Sequence, residues 1–155
     1  MIIAYLADYP QHIPTIAAWT YGEWGHLNAG DSIERRITRF QTYSGRPGIP
    51  MTLIALEDET PVGCASLVVN DLSTHTQLTP FMASVFVDPA YRRRGVASAL
   101  VLQSIATAAQ LNIETLYLIT HDRQQLYQNL GWSHVEELTY RGEEVTLMKI
   151  RCIAN

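Results

Sequence analysis

Cysteine is scarce in this chain, with only Cys64 and Cys152. Neither belongs to a Cys-x-x-Cys pair or a Cys/His cluster at metal-ligand spacing, so no metal site is expected. Two reduced structural thiols are expected rather than a disulfide framework. Basic excess is also lacking: 11 Lys and Arg stand against 15 Asp and Glu, for a formal charge of −4. That balance argues against a nucleic-acid binder. No apolar run is long enough to span a bilayer. The opening Met1 to Asp8 has no basic start and meets Asp8 and Pro10 too early for a signal peptide. A cytoplasmic protein with no membrane partner is expected. Internal repeats, low-complexity tracts and Ser/Gly linkers are missing too, so residues 1–155 are read as one domain. Two phosphate-binding patterns are absent as well, the Gly-Lys-Ser/Thr loop and the Gly-x-Gly-x-x-Gly fingerprint, which disfavours an ordinary nucleotide-binding domain.

What is present alternates between helical and strand periodicity. Ile2 to Ala7 reads as a strand. Pro10 and Pro14 bracket the entry to a helix that runs to about Trp24, followed by a loop over residues 25–30. Asp31, with Glu34 three residues on, has the look of an N-cap for a second helix carrying Ile33, Ile37 and Phe40 and ending near Gly45. Met51–Leu56 and Val62–Val69 form a strand pair around a turn, and residues 70–79 form a polar loop. Phe81–Val87 is apolar on both alternating faces and is expected to be a central strand. Arg94 to Asn112 carries Ala97, Leu100, Val101, Ile105 and Ala108 at helical steps. Thr115–Thr120 is a strand. Asp122 with Gln125 resembles the cap of a short helix with Leu126 and Leu130 on its apolar stripe, and Gly131 ends it. Ser133–Tyr140 and Glu143–Ile150 form a hairpin around Arg141-Gly142. The order is β-α-α-β-β-β-α-β-α-β-β, an α/β chain mixing hairpins with crossovers.

One stretch organises the rest. Ser84 to Leu100 reads as a strand, a proline turn, three arginines, then a glycine that opens a helix. The first N–H groups of a helix have no intrahelical partner, and its dipole favours an anion there. The main chain from Arg93 to Ser98 could therefore cradle phosphates, with Gly95 allowing close approach and Arg92, Arg93 and Arg94 adding charge.

Two segments carry a resemblance. Arg92-Arg-Arg-Gly-Val-Ala97, behind the strand Val85-Phe-Val-Asp-Pro89, resembles the Arg/Gln-x-x-Gly-x-Gly/Ala loop of the GCN5-related (GNAT) acetyltransferases. Leu126-Tyr-Gln-Asn-Leu-Gly-Trp132 is similar to that family's Leu-Tyr-x-x-x-Gly-Phe segment. The resemblance implies a mixed, mostly antiparallel sheet flanked by helices. It implies acetyl-CoA as co-substrate and a primary amine, on a small molecule or a peptide N-terminus, as acceptor. The alternative within the same fold is a non-catalytic acyl-CoA-binding module.

The resemblance also assigns roles residue by residue. Val85, Phe86, Val87, Arg92, Arg93, Arg94, Gly95, Val96, Ala97, Ser98 and Thr120 are expected on the cofactor. Main-chain groups of Val85 and Val87 would pair with the pantetheine arm between splayed strands, and an N–H of Val87 or Phe86 would polarise the thioester carbonyl. Tyr127 is the expected catalytic acid, because coenzyme A leaves as a thiolate whose acid titrates near ~8.5. Thr120 stands where many family members carry asparagine. On the acceptor side the candidates are Glu23, Trp24, His26, Asp71, His75 and His121, as base or wall. A homodimer through the terminal hairpin is possible for this fold.

Overall fold

The computed structural model describes residues 1–153. Seven strands form one sheet: β1 (Ile2–Tyr5), β2 (Met51–Glu57), β3 (Thr60–Val68), β4 (Phe81–Val87), β5 (Thr115–Thr120), β6 (Ser133–Tyr140) and β7 (Glu143–Arg151). Their order across the sheet is β1-β2-β3-β4-β5-β7-β6. Every pairing is antiparallel except β4 with β5. That parallel join needs a crossover, which α3 (Val96–Gln110) supplies. The other helices are α1 (Ile13–Trp24), α2 (Ile33–Thr42) and α4 (Gln124–Asn129). At the β6–β7 corner Arg141 and Gly142 both take positive φ, 52° and 79°. A two-residue hairpin turn of this twist requires that of both its central residues.

Side chains on β2 alternate between two cores. Leu53 and Ala55 join Leu67, Met82, Leu100 and Val101 on the α3 face. Ile54 and Leu56 join Ile16, Ala17 and Phe40 beneath α1 and α2. The sheet is thus covered on both sides, which explains why residues 62–67 of β3 and the first three residues of β4 are buried in succession rather than alternately. A Cβ at Gly63 would lie 3.0 Å from both Leu100 Cδ1 and Val96 Cγ1, so glycine lets the start of α3 sit close on β3. Leu100 is wholly buried there, a burial that stabilises by about 1.5–3 kcal/mol.

Several boundaries differ from the sequence reading. β1 stops at Tyr5, and Leu6–Asp8 turns as a short 3-10 helix that drops Leu6 into the core. The cap of α2 is Ser32, whose Oγ accepts from Arg35 N–H at 3.1 Å, and not Asp31. Asp31 instead accepts from Ser32 N–H and pairs with Arg36 at 2.8 Å. The helix ends at Thr42 rather than near Gly45. Asp122 does not cap α4; Thr120 Oγ1 accepts from Arg123 N–H at 3.0 Å and closes that turn. The polar loop 70–79 is ordered by Asn70, whose amide donates to His75 O and Leu78 O while its Oδ1 accepts from Leu72 N–H. Those bonds let Leu72 be buried completely.

Candidate functional site

The sheet opens at its centre. β4 and β5 pair only at Phe81 opposite Tyr117, where Tyr117 N–H donates to Pro80 O. Beyond that point the strands diverge. A bulge in β4 marks the divergence: the register with β3 shifts between Cys64 and Ser66, and Ser84 takes φ 56°. Cys64 Sγ donates to Ser84 O at 3.3 Å and ties the bulge to β3. Burial pushes that thiol up to about 12, so it stays protonated.

After the bulge, Asp88 N–H donates to Val62 O. Ladder alternation then makes Gly63–Val87 a pair whose N–H and C=O groups point away from each other. Val87, and Val85 two residues earlier, therefore turn main-chain polar groups toward the gap. Phe86 turns its own toward β3, so of the two expected N–H donors only Val87 has the right direction. Val87 O already accepts from Arg92 Nε at 3.0 Å.

At the end of the gap the chain enters α3 through a tight turn. Arg93 and Gly95 both take positive φ, 65° and 77°. Gly95 is the N-cap, and the first intrahelical acceptor bond runs from Ala99 N–H to Gly95 O at 3.0 Å. The N–H groups of Val96, Ala97 and Ser98 are left without intrahelical partners. A Cβ built on Gly95 meets nothing within 4 Å; it would project into open space. That space is a cleft of about 530 Å³ lined by Arg92, Arg93, Gly95, Ser98 and, from the opposite wall, Asp122 and Arg123. Arg94 is not on it: its guanidinium lies over Tyr91, 5.3 Å from the ring centre.

A second cleft, about 680 Å³, continues from the first through Val87, Arg92, Ala97 and Leu126. Val85, Phe86, Thr120, His121 and Tyr127 line it, and so do Glu23, Trp24, His26 and Asp71 from the other end. Phe86 marks the boundary between the two ends. Its ring stacks on Trp19 at 5.5 Å and meets Trp24 edge-on at 6.4 Å, with the Arg92 guanidinium 5.5 Å from its centre. Tyr127 is 6% exposed and packs edge-on against Trp132, and no protein group hydrogen-bonds its hydroxyl among the described residues. Burial pushes that phenol up to about 12, with Arg123 opposing and Asp122 adding to the shift. Asp71 is enclosed by the cleft yet open to the water in it. Enclosure pushes its carboxyl up to about 6, and Arg141, Arg36 and Arg39 pull the other way.

The model of the acetyltransferase (GNAT) family matches residues 13–132 of this sequence. The chain belongs to the GNAT acetyltransferase family. Solved structures agree on the fold. An aminoglycoside 6'-acetyltransferase of type Ii superposes with TM-score 0.79 at 18% identity, covering 100% of this chain and 99% of that one. The yncA protein of Salmonella typhimurium, solved with its cofactor acetyl-CoA, gives 0.77 at 16%, covering 100% and 95%. The ribosomal-protein-alanine N-acetyltransferase of Brucella melitensis gives 0.77 at 15%, covering 97% and 99%. Comparison with curated proteins gave no match.

Within this GNAT fold most of the residues singled out from the sequence converge on the two clefts. His75 is not among their lining residues: its ring bonds Thr74 Oγ1 at 2.8 Å and Glu136 Oε1 at 3.0 Å, joining the 70–79 loop to β6. Arg123 was missed by sequence reasoning, because it lies in no motif and reaches the 530 Å³ cleft only through the turn that Thr120 closes. Arg35, Arg39, Tyr43, Tyr140, Arg141 and Glu143 also line the larger cleft. The one sequence signal for them was the spacing of Arg35 and Arg39, one helical step apart on α2. Among the described residues no cluster of His, Cys, Asp and Glu could hold a metal, and no helix is long and apolar enough to cross a membrane.

Proposed function

We propose that this protein is an N-acetyltransferase moving the acetyl group of acetyl-CoA to a primary amine, with residues 1–155 acting as a single domain in the cytoplasm. The observation that carries the reading is the cradle at Gly95: three free helix N–H groups, φ values only glycine adopts readily, and open space where a Cβ would sit. Arg92, Arg93 and Arg123 bring cations to the same cleft. These groups fit a pyrophosphate, and the main chain of Val85 and Val87 in the β4–β5 gap fits the amide-bearing arm that follows it. Bound there, acetyl-CoA supplies a thioester that the amine attacks, forming a C–N bond as the C–S bond breaks and coenzyme A leaves as a thiolate.

The protein's own groups then have defined work. Val87 N–H donates to the carbonyl oxygen as negative charge grows on it. Tyr127 donates a hydrogen bond to the leaving sulfur. Burial raises its phenol to about 12, so it meets the leaving group protonated and able to donate. Tyr127 therefore stabilises the thiolate by donation and stays protonated. Asp71 lines the cleft with Glu23 and has its carboxyl raised to about 6, and it is the carboxylate assigned to take the ammonium proton, directly or through water. Thr120 Oγ1 accepts from Arg123 N–H, which makes it a builder of the turn, with its O–H and one lone pair left for the cofactor.

The test is release of free coenzyme A thiol when the protein and acetyl-CoA meet a panel of amines, with acetylated product confirmed by mass. Amine-dependent release is expected. Tight acetyl-CoA binding with no release from any amine would favour the non-catalytic binding module instead.

A further inference from the structure

The far end of the larger cleft holds more charge than an amine alone requires. Arg35, Arg36 and Arg39 line it from α2, and Arg141 lines it from the β6–β7 turn across the opening. Arg36 is committed to Asp31: the two side chains are 5% and 2% exposed and meet at 2.8 Å. Arg35, Arg39 and Arg141 have no carboxylate within salt-bridge distance among the described residues. The Arg141 guanidinium lies 5.1 Å from the Tyr140 ring centre, held on the rim. Glu23, Asp71 and Glu143 line the same cleft and are equally unpaired. Arg39 and Arg141 act on Asp71 from two different walls, so they flank it without closing on it.

At this end of the cleft three arginines and three carboxylates thus stand outside any salt bridge among the described residues. A polycationic amine would meet the arginines with its surplus charge, and a simple alkylamine would leave them unsatisfied. An acceptor with an amine and a nearby carboxylate would satisfy both sets. The planar fork of arginine suits a carboxylate in two-point contact.

We propose that the acceptor carries a carboxylate close to its reactive amine, with Arg39 and Arg141 gripping the carboxylate from opposite walls while Asp71 faces the amine. This rests on the acetyltransferase reading of the cleft. Two sources share the chemistry: a free α-amino acid, and a peptide N-terminus followed by acidic residues.

The experiment measures kcat/KM for acetyl transfer by the full chain to C-terminally amidated Ser-Asp-Asp-Ala, Ser-Asn-Asn-Ala and Ser-Lys-Lys-Ala, to free glutamate, and to spermidine. The expected result is at least a tenfold preference for the acidic peptide or for glutamate over the neutral peptide, with the Lys peptide and spermidine slowest. Preference for glutamate assigns free amino acids as the source, and preference for the acidic peptide assigns chain ends. Arg39→Gln and Arg141→Gln are each expected to raise KM for the acidic acceptor and shrink the preference, with acetyl-CoA affinity as the folding control. Equal rates, a preference for the cationic acceptors, or a preference that survives both substitutions would overturn the proposal. Should no acceptor turn over while acetyl-CoA binds, the transfer reading fails by itself. Titration of the acetyl-CoA-loaded protein with the same peptides then decides this inference: tightest binding of the acidic peptide upholds it, and any other order removes it.

Discussion

The two ends of the cleft are built by different means. The end proposed for the cofactor's phosphates is made of main chain: a bulge at Ser84, a gap between β4 and β5, and the αL residues Arg93 and Gly95 ahead of α3. The end proposed for the acceptor is made of side chains from four separate places: the end of α1, the face of α2, the 70–79 loop and the β6–β7 turn. Backbone geometry is specific to a ligand's shape and tolerates much sequence change around it. Side-chain walls can be rewritten one residue at a time. A family that keeps one donor and varies the acceptor has reason to divide its site in this way.

The division can be broken from either side. The largest effect is expected where the acceptor wall is anchored. Asp31→Ala would leave Arg36 buried without its partner, at a cost of about 3 kcal/mol, which is roughly 10 °C in Tm for a chain of this size. Thermal unfolding checks the loss, and acetyl-CoA affinity measured well below the new Tm should be little changed. A matching fall in cofactor affinity would show that the two ends are mechanically joined.

Tyr127→Phe comes next. Removing a hydrogen bond to a charged leaving group costs about 1.5–3 kcal/mol, so turnover should fall about 10- to 100-fold while acetyl-CoA still binds. Steady-state kinetics beside a binding titration make the distinction. Turnover equal to that of the parent protein would return Tyr127 to a packing role against Trp132.

Asp71→Asn gives the smallest effect and a sign. The folded carboxyl titrates near 6, above its ordinary value of 3.8. The folded state therefore favours the neutral form, and its stability is fully present below pH 3.8 and declines as pH rises through about 6. Asparagine removes that decline. Tm of the variant should exceed that of the parent at pH 8 and match it near pH 3.5; the opposite ordering would mean that Arg39 and Arg141 dominate the carboxyl.

The same division explains what could be read in the sequence. The phosphate end is contiguous, so Ser84 to Leu100 displayed its strand, turn, glycine and helix in one line. The strands β2 to β7 were placed within two residues or better because apolar runs and turn residues mark them sharply. The cap of α2 was misassigned because Asp31 and Ser32 are adjacent and both suit the position; the choice was made by Arg36, which draws Asp31 inward. Arg35, Arg39 and Arg141 went unassigned, because the one-turn spacing of Arg35 and Arg39 on α2 does not say which face meets a cleft, and Arg141 reaches it only through the β6–β7 turn. Phe86 was an alternative to Val87 as the N–H that polarises the thioester, and the register with β3 turns its main chain away from the gap.

The Gly95 cradle is the part of the proposed cofactor site with the most to lose, and calorimetric titration of acetyl-CoA into the parent protein and into Gly95→Val tests it directly. Valine at φ 77° places a branched side chain in the space open beside the free N–H groups. The expected result is saturable binding by the parent and about a 100-fold loss in the variant, close to 3 kcal/mol, with the folded state retained by circular dichroism. Equal affinities in the two proteins, or no binding by the parent at millimolar acetyl-CoA, would contradict it.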